Sequence, residues 1–274
     1  MAHAAPAPRR PVAPASAGGW RWGTRWVAIP LAFVLLSCVS AVGYATSWDD
    51  YPKILLHVAP ATSKNPCLPT TVMADCGRAI DHGEVSFAGD IYYNVYLLVA
   101  PGSYRGTALG GNGGGIAGLQ CGISYNPGAK AGVDVFNWHL CADMEFPSGE
   151  WPASCAGNLI TWDSTRHCQL GDVGVAGYFY LGAYSVDRLD IVPRPVDGRL
   201  LLADCAAQEI TLEYIRDAGS AAFTNPAGGE GGYNPCQGSR SIDPLPGGSL
   251  GPPPCAAVPV RPTSWSALKM PPSW

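Results

Sequence analysis

The chain has 274 residues, among them 34 glycines, 26 prolines and ten cysteines, and only 14% of its residues are charged. Its formal net charge is −4; the four charges in residues 1–45 are all positive, so the remainder stands at −8. That balance offers no pull toward phosphate backbones or anionic lipid and excludes nucleic-acid binding as the function.

Residues 26–45 form an apolar run without a charge, preceded by Arg9, Arg10, Arg21 and Arg25. A positive flank, a hydrophobic segment and a small-residue exit at Gly43, Tyr44 and Ala45 make an export signal. Pro30 and the small residues favour cleavage. The length of the run, enough to cross a bilayer as a helix, favours a retained anchor. The sequence Leu35-Leu36-Ser37-Cys38 resembles a lipobox and adds a third fate, lipidation at Cys38. The expected location is therefore extracytoplasmic, secreted or in the cell envelope, with membrane contact only through this segment.

Export changes the meaning of the cysteines. Cys67, Cys76, Cys121, Cys141, Cys155, Cys168, Cys205, Cys236 and Cys255 follow the leader. In an oxidising compartment they are expected to form structural disulfides. Nine is odd, so one thiol stays free or bridges to another chain. No Cys-x-x-Cys or His-x-x-x-His spacing is present, and neither a metal nor a cofactor is expected. Short loops suggest Cys67 with Cys76, Cys155 with Cys168 and Cys236 with Cys255, and Cys121 with Cys141 across neighbouring strands.

Residues 46–85 read as a turn-rich extension with one short strand at 54–58. From residue 86 the pattern becomes β-prone. Residues 91–99 are rich in aromatic and β-branched side chains. Residues 119–125 alternate apolar and polar, as a half-buried strand does, and end in the Asn126-Pro127-Gly128 turn. Residues 133–140 also alternate, but Val135 falls out of phase with Phe136, Trp138 and Leu140, which predicts a bulge. A turn with Pro147, Gly149 and Pro152 precedes a strand at 158–162. Further strands are expected at 178–184, 189–192, 199–203 and 209–212. No helical period is sustained, so the expected fold is all-β: an antiparallel two-sheet sandwich of eight or nine strands over residues 86–215. Phe136, Trp138, Trp162, Tyr178 and Tyr180 are assigned to its core or sheet faces. Residues 216–274 are rich in Gly and Pro and read as a flexible tail.

Two motif matches fail on context. Gly113-x-Gly115-x-x-Gly118 has the dinucleotide spacing but opens a strand rather than a helix. Gly247-x-Ser249-x-Gly251 has the serine-hydrolase spacing but lies in the proline-rich tail with no histidine after it. Asp81, Glu84 and Asp90 offer oxygen ligands for calcium without EF-hand spacing. Asp143, Glu145, Glu150 and Asp163 lie near Trp138, Trp151 and Trp162, the residue mix of a glycosidase or of a sugar-binding module.

Residues 95–99 followed by 115–127 form an apolar strand and then a Gly-aliphatic strand ending in Tyr125-Asn126-Pro127. This resembles the opening of cohesin-like domains, whose second strand ends in Tyr-Asp-Pro. The 178–192 hairpin and the 209–212 strand fit the same order. The resemblance implies a nine-stranded jelly-roll-like sandwich, related to some carbohydrate-binding modules, that acts as a receptor. Cohesins bind dockerins, which are calcium-loaded helical modules. The chain departs from the pattern at Asn126, in its many cysteines and in the 141–168 region, and no dockerin partner is carried over.

The resulting expectation is an exported, disulfide-stapled module that binds an extracellular protein or polysaccharide through Trp138, Trp151 and Trp162, with no catalytic residue. The alternatives are a secreted glycan-active hydrolase using two of the four acids, and a disulfide-linked structural subunit of the envelope.

Overall fold

Alternating side chains on β-branched and aromatic segments produce two sheets in the computed structural model, which describes residues 51–62, 67–101, 115–226, 231–237 and Cys255. Residues 1–45, read above as an export signal, the Gly247-x-Ser249-x-Gly251 motif and most of the proline-rich stretch lie outside these residues. The described residues belong to one unit spanning Tyr44–Trp274.

The first sheet has four strands in the order β1 (Lys53–Pro60), β3 (Tyr92–Ala100), β8 (Gly174–Ala183) and β5 (Val133–Leu140), all antiparallel. The expected bulge in β5 is present: the register with β8 slips between Val135 and Asn137, leaving Phe136 unpaired.

The second sheet is built around β4 (Ile116–Ser124), which is buried along its whole length. One edge of β4 carries β7 (Gly157–Thr161), followed by β6 (Met144–Ser148). The other edge is shared. β10 (Leu201–Asp204) pairs with the first half of β4, and β9 (Asp187–Val192) pairs with its last three residues. β11 (Glu209–Thr211) extends the β10 branch. β12 (Ser220–Thr224) and β2 (His82–Glu84) extend the β9 branch, and β12 with β2 is a parallel pair.

The two inner faces make one core. Val95, Leu97 and Val99 from β3 and Phe179 and Leu181 from β8 meet Leu119, Cys121 and Ile123 from β4, Ile191 from β9 and Phe223 from β12. The fold is thus an all-β, two-sheet sandwich stapled by disulfides. It has twelve strands among the described residues rather than eight or nine. Beyond the eight named within residues 86–215 the additions are β1, which joins the sandwich from the stretch read as an extension, and β2, β6 and β12. β6 lies where a turn was expected, because Pro147 sits in an edge strand that tolerates a missing donor. β12 and the 231–237 segment pack into the molecule from the stretch read as tail.

A second, smaller apolar cluster covers part of the outer face of the first sheet. Leu55, Tyr96, Leu98, Ala100, Val175 and Tyr178 are buried there beneath Cys67, Val72, Met73, Cys76 and Ala79. This cap, residues 67–80, contains a single helical turn, α1 (Pro69–Val72), and a 3-10 turn at Cys76–Arg78.

The disulfides correct every local pairing expected from sequence. The bonds are Cys67–Cys141, Cys76–Cys236, Cys155–Cys255 and Cys168–Cys205, with sequence separations of 74, 160, 100 and 37. Cys121, expected to be bonded, is the free thiol among the described residues and is fully buried. It cannot reach Cys141 as a strand neighbour because β4 belongs to one sheet and β5 leads into Cys141 from the other. Cys67 and Cys76 are near in sequence but each fastens the cap to a different part of the sandwich.

Candidate functional site

The outer face of the four-stranded sheet presents directly paired residues as rows, because side chains alternate between faces with period two. One row runs across all four strands: His57 on β1, Tyr96 on β3, Tyr178 on β8 and His139 on β5. Its rings are in contact, with centroids 6.2 Å apart for His57 and Tyr96, 5.4 Å for Tyr96 and Tyr178, and 4.7 Å for Tyr178 and His139. Burial lowers the His57 imidazole below its ordinary range and raises both phenols above theirs. Those three rings are uncharged near neutral pH.

On one side of this row the face is apolar and lies under the cap. On the other side none of the cap residues 67–80 covers it. The next row is Ala59, Asn94, Tyr180 and Asn137, and beyond it come Tyr92, Gly182 and Asp134. Tyr92 and Tyr180 stack with centroids 5.6 Å apart and an interplanar angle of 29°. Phe136, extruded by the bulge, touches both, at 5.9 Å from Tyr92 and 5.7 Å from Tyr180. Phe136 is 45% exposed and Tyr92 37%, so this aromatic cluster faces solvent. Gly182 makes it possible: a Cβ there would press on the Tyr184 ring at 3.2 Å and the Phe136 ring at 3.3 Å.

The three tryptophans expected to bind ligand do not form one surface. Trp162 is only 6% exposed and belongs to the core, so it offers no ring to a ligand. Trp138 and Trp151 do meet, edge to face at 5.3 Å, and both pack on the buried ring of Phe179 at 4.7 and 5.4 Å. This half-buried cluster closes the side of the sandwich between β5 and the loop joining β6 to β7.

The four acids are engaged in different ways, with Asp143 bound to the backbone of Asp163. Glu145 Oε2 accepts from Trp138 Nε1 at 2.8 Å and from Asn158 Nδ2 at 2.7 Å. Asp143 Oδ2 accepts from the Asp163 backbone N–H at 2.6 Å, and Asp143 Oδ1 contacts His167 Nδ1 at 2.7 Å. The Asp163 N–H, with His167 as a smaller contributor, holds the Asp143 carboxyl below its ordinary range. Asp163 Oδ1 accepts from the backbone N–H groups of Thr165 and Arg166. Glu150 is exposed on the connecting loop. Three of the four therefore fasten chain: Asp143 and Asp163 hold the turn after β7, and Glu145 joins the two sheets. Asp81 contacts His82, and Asp90 is hydrogen-bonded to Ser86, so those acids are engaged apart from one another.

No protein-family model and no curated protein matches the chain. Among solved structures it is similar to the cohesin module of a Clostridium perfringens family 33 glycoside hydrolase, at 8% identity, covering 62% of this chain and 98% of that one, with a TM-score of 0.34. It is similar to the sixth cohesin of Acetivibrio cellulolyticus scaffoldin B, which was solved with a Cel5 dockerin, at 11% identity over 63% and 99% of the two chains, with a TM-score of 0.35. The OlpC cohesin of Clostridium thermocellum, solved with a dockerin, matches at 12% identity over 64% and 96%, with a TM-score of 0.33. The sandwich assignment rests on the strand pairing itself.

The aromatic cluster of Tyr92, Phe136 and Tyr180 was not singled out as a site from sequence. Phe136 and Tyr180 carried the signal in part, as sheet-face residues. Which face they occupy, and what covers it, depends on the register of β5 and β3 against β8.

Proposed function

We propose that this chain is an exported, non-catalytic binding module whose partner is a protein, held on the uncapped half of the four-stranded sheet. The observation that carries this reading is the cluster of Tyr92, Phe136 and Tyr180, solvent-facing and in mutual contact, on a sheet face whose other half is sealed by the cap. Packed rings lose little conformational freedom on binding and supply large contact area, as the anchors of protein interfaces do. Their orientation disfavours a sugar. Tyr92 and Tyr180 cover one face of each other, and Phe136 is turned by 63° and 50° from them, so no coplanar platform is available to a pyranose ring. Export through residues 1–45 places the module in an oxidising compartment, which its four disulfides fit.

The test is binding of the labelled, oxidised chain to the surface of the producing cells, before and after the cells are treated with protease. A protein partner predicts binding that protease abolishes, and a loss of about thirtyfold in affinity when Tyr92 and Phe136 are both replaced by Ala. Neither ring belongs to the buried core, so the double variant keeps it. Binding that survives protease would make the partner a glycan. Binding unchanged in the double variant would move the site away from this face.

A further inference from the structure

We propose that His57 is an acid-sensitive latch that holds the end of the cap against the sheet. The His57 ring is 8% exposed, lies in the row that borders the uncapped aromatics, and accepts a hydrogen bond at Nδ1 from the Ile80 backbone N–H at 3.1 Å. A second bond closes the same point, from Val58 N–H to the Ile80 carbonyl at 2.7 Å. Further back, the cap is fastened by groups that do not titrate. These are the Cys67–Cys141 and Cys76–Cys236 bonds, the Asn234 amide donating to the Cys76 carbonyl, and the Gln237 amide donating to the Gly77 carbonyl. The neighbouring carbonyl of Asp81 accepts from the backbone N–H groups of Ala222 and Gly232, so at this end only the Ile80 N–H depends on an imidazole.

Only the neutral ring can serve there. With the proton on Nε2, the Nδ1 lone pair accepts from Ile80. The imidazolium carries N–H on both nitrogens and has no lone pair to offer, so protonation sets two donors against each other. The groups around the ring do not favour the charge. Tyr96 faces it from β3, and Tyr178 and His139 continue the row. On the cap side Asp81 and His82 follow Ile80 and contact each other at 3.1 Å. On β1 itself, Lys53 lies four residues away on the same face, donating to the Tyr51 carbonyl. Burial holds the imidazole below its ordinary range. Acid therefore releases the Ile80 N–H and loosens the cap beside Tyr96, the ring adjacent to the row of Asn94 and Tyr180, while the Val58 bond to the Ile80 carbonyl stays.

The experiment is amide exchange at Ile80 in the full oxidised chain at about pH 8 and at the lowest pH at which β3 and β8 stay protected, corrected for intrinsic exchange. Protection at Ile80 is expected to fall about tenfold at the lower pH, as for one lost hydrogen bond, while protection in β3 and β8 is unchanged. His57→Asn, which keeps an acceptor oxygen near the Nδ1 position but does not titrate, should hold Ile80 protected at both values. Replacing His82 by Asn should leave the response intact. If His57→Asn does not fold, the native chain still decides the matter: the His57 ring and the Ile80 amide should titrate together in an NMR pH series. Equal protection at both pH values, a response that follows His82, or separate midpoints for ring and amide would overturn the latch.

Discussion

Trp138 and Glu145 are joined by a 2.8 Å hydrogen bond from the indole Nε1 to Oε2, and the same oxygen takes the Asn158 amide at 2.7 Å. The bond ties β5 of one sheet to the β6–β7 hairpin of the other. An acid near tryptophans, which in sequence resembles a glycosidase residue, is here a fastening between layers. Glu145→Ala leaves two donors without an acceptor, one of them on the fully buried Asn158, and is expected to cost about 2–4 kcal/mol. Glu145→Gln keeps one acceptor oxygen and should lose about half as much. Urea unfolding of the oxidised protein measures both, and an unchanged midpoint for the Ala variant would show that the hairpin is held otherwise.

The cysteine map gives a second expectation. Proteolytic digestion without reductant should release the pairs Cys67–Cys141, Cys76–Cys236, Cys155–Cys255 and Cys168–Cys205. Cys121 should resist alkylation until the chain is denatured, since it is fully buried and its thiol is pushed up to about 12 by that burial. A peptide linking Cys67 directly to Cys76 would contradict the attachment of the cap. Breaking Cys76–Cys236 by serine substitution should cost about 2–5 kcal/mol.

Gly177 tests the packing of β5 on β8. A Cβ at this position would fall well inside contact distance of the His139 carbonyl oxygen and the Trp138 ring. Both belong to the neighbouring strand, one as backbone, so neither can give way cheaply. Gly177→Ala should destabilise by about 3 kcal/mol, read from thermal unfolding with Trp fluorescence as the probe. Full stability in that variant would mean that β5 lies farther from β8.

Acid should loosen the turn after β7 through Asp143. The Asp163 N–H and His167 hold its carboxyl below the ordinary value of 3.8, so the folded chain releases this proton more readily than the unfolded chain. The contribution to stability is complete above that value and is lost as pH falls through the depressed one. Asp143→Asn should remove this part of the acid dependence while leaving the profile above it unchanged. A variant whose acid limb overlays that of the native protein would assign the dependence to other carboxylates.

Much of the fold was legible because the strands obey a two-residue period on β-branched and aromatic segments. The Val135 phase break announced the β5 bulge, and the short strand at 54–58 became β1. β6 was obscured by Pro147, which reads as a turn unless the strand is known to lie at an edge. β12 was obscured by the glycine-rich surroundings that follow it. The site was less legible. Trp138 and Trp151 meet, but Trp162, one residue past β7, turns inward because it continues the phase of the buried Ile160.

The sequence by itself determined that this is a β protein with an odd number of cysteines after residue 45 and with aromatic residues concentrated on its strands. Local alternation and turn residues carry that information, and both act within a few residues of the chain. Only the tertiary structure decided which cysteines pair, which thiol stays free, and which half of the four-stranded sheet remains open. Those outcomes depend on contacts between residues far apart in sequence. The sheet register sets Tyr92, Phe136 and Tyr180 side by side, and the Cys76–Cys236 bond, spanning 160 residues, fixes the cap over the other half.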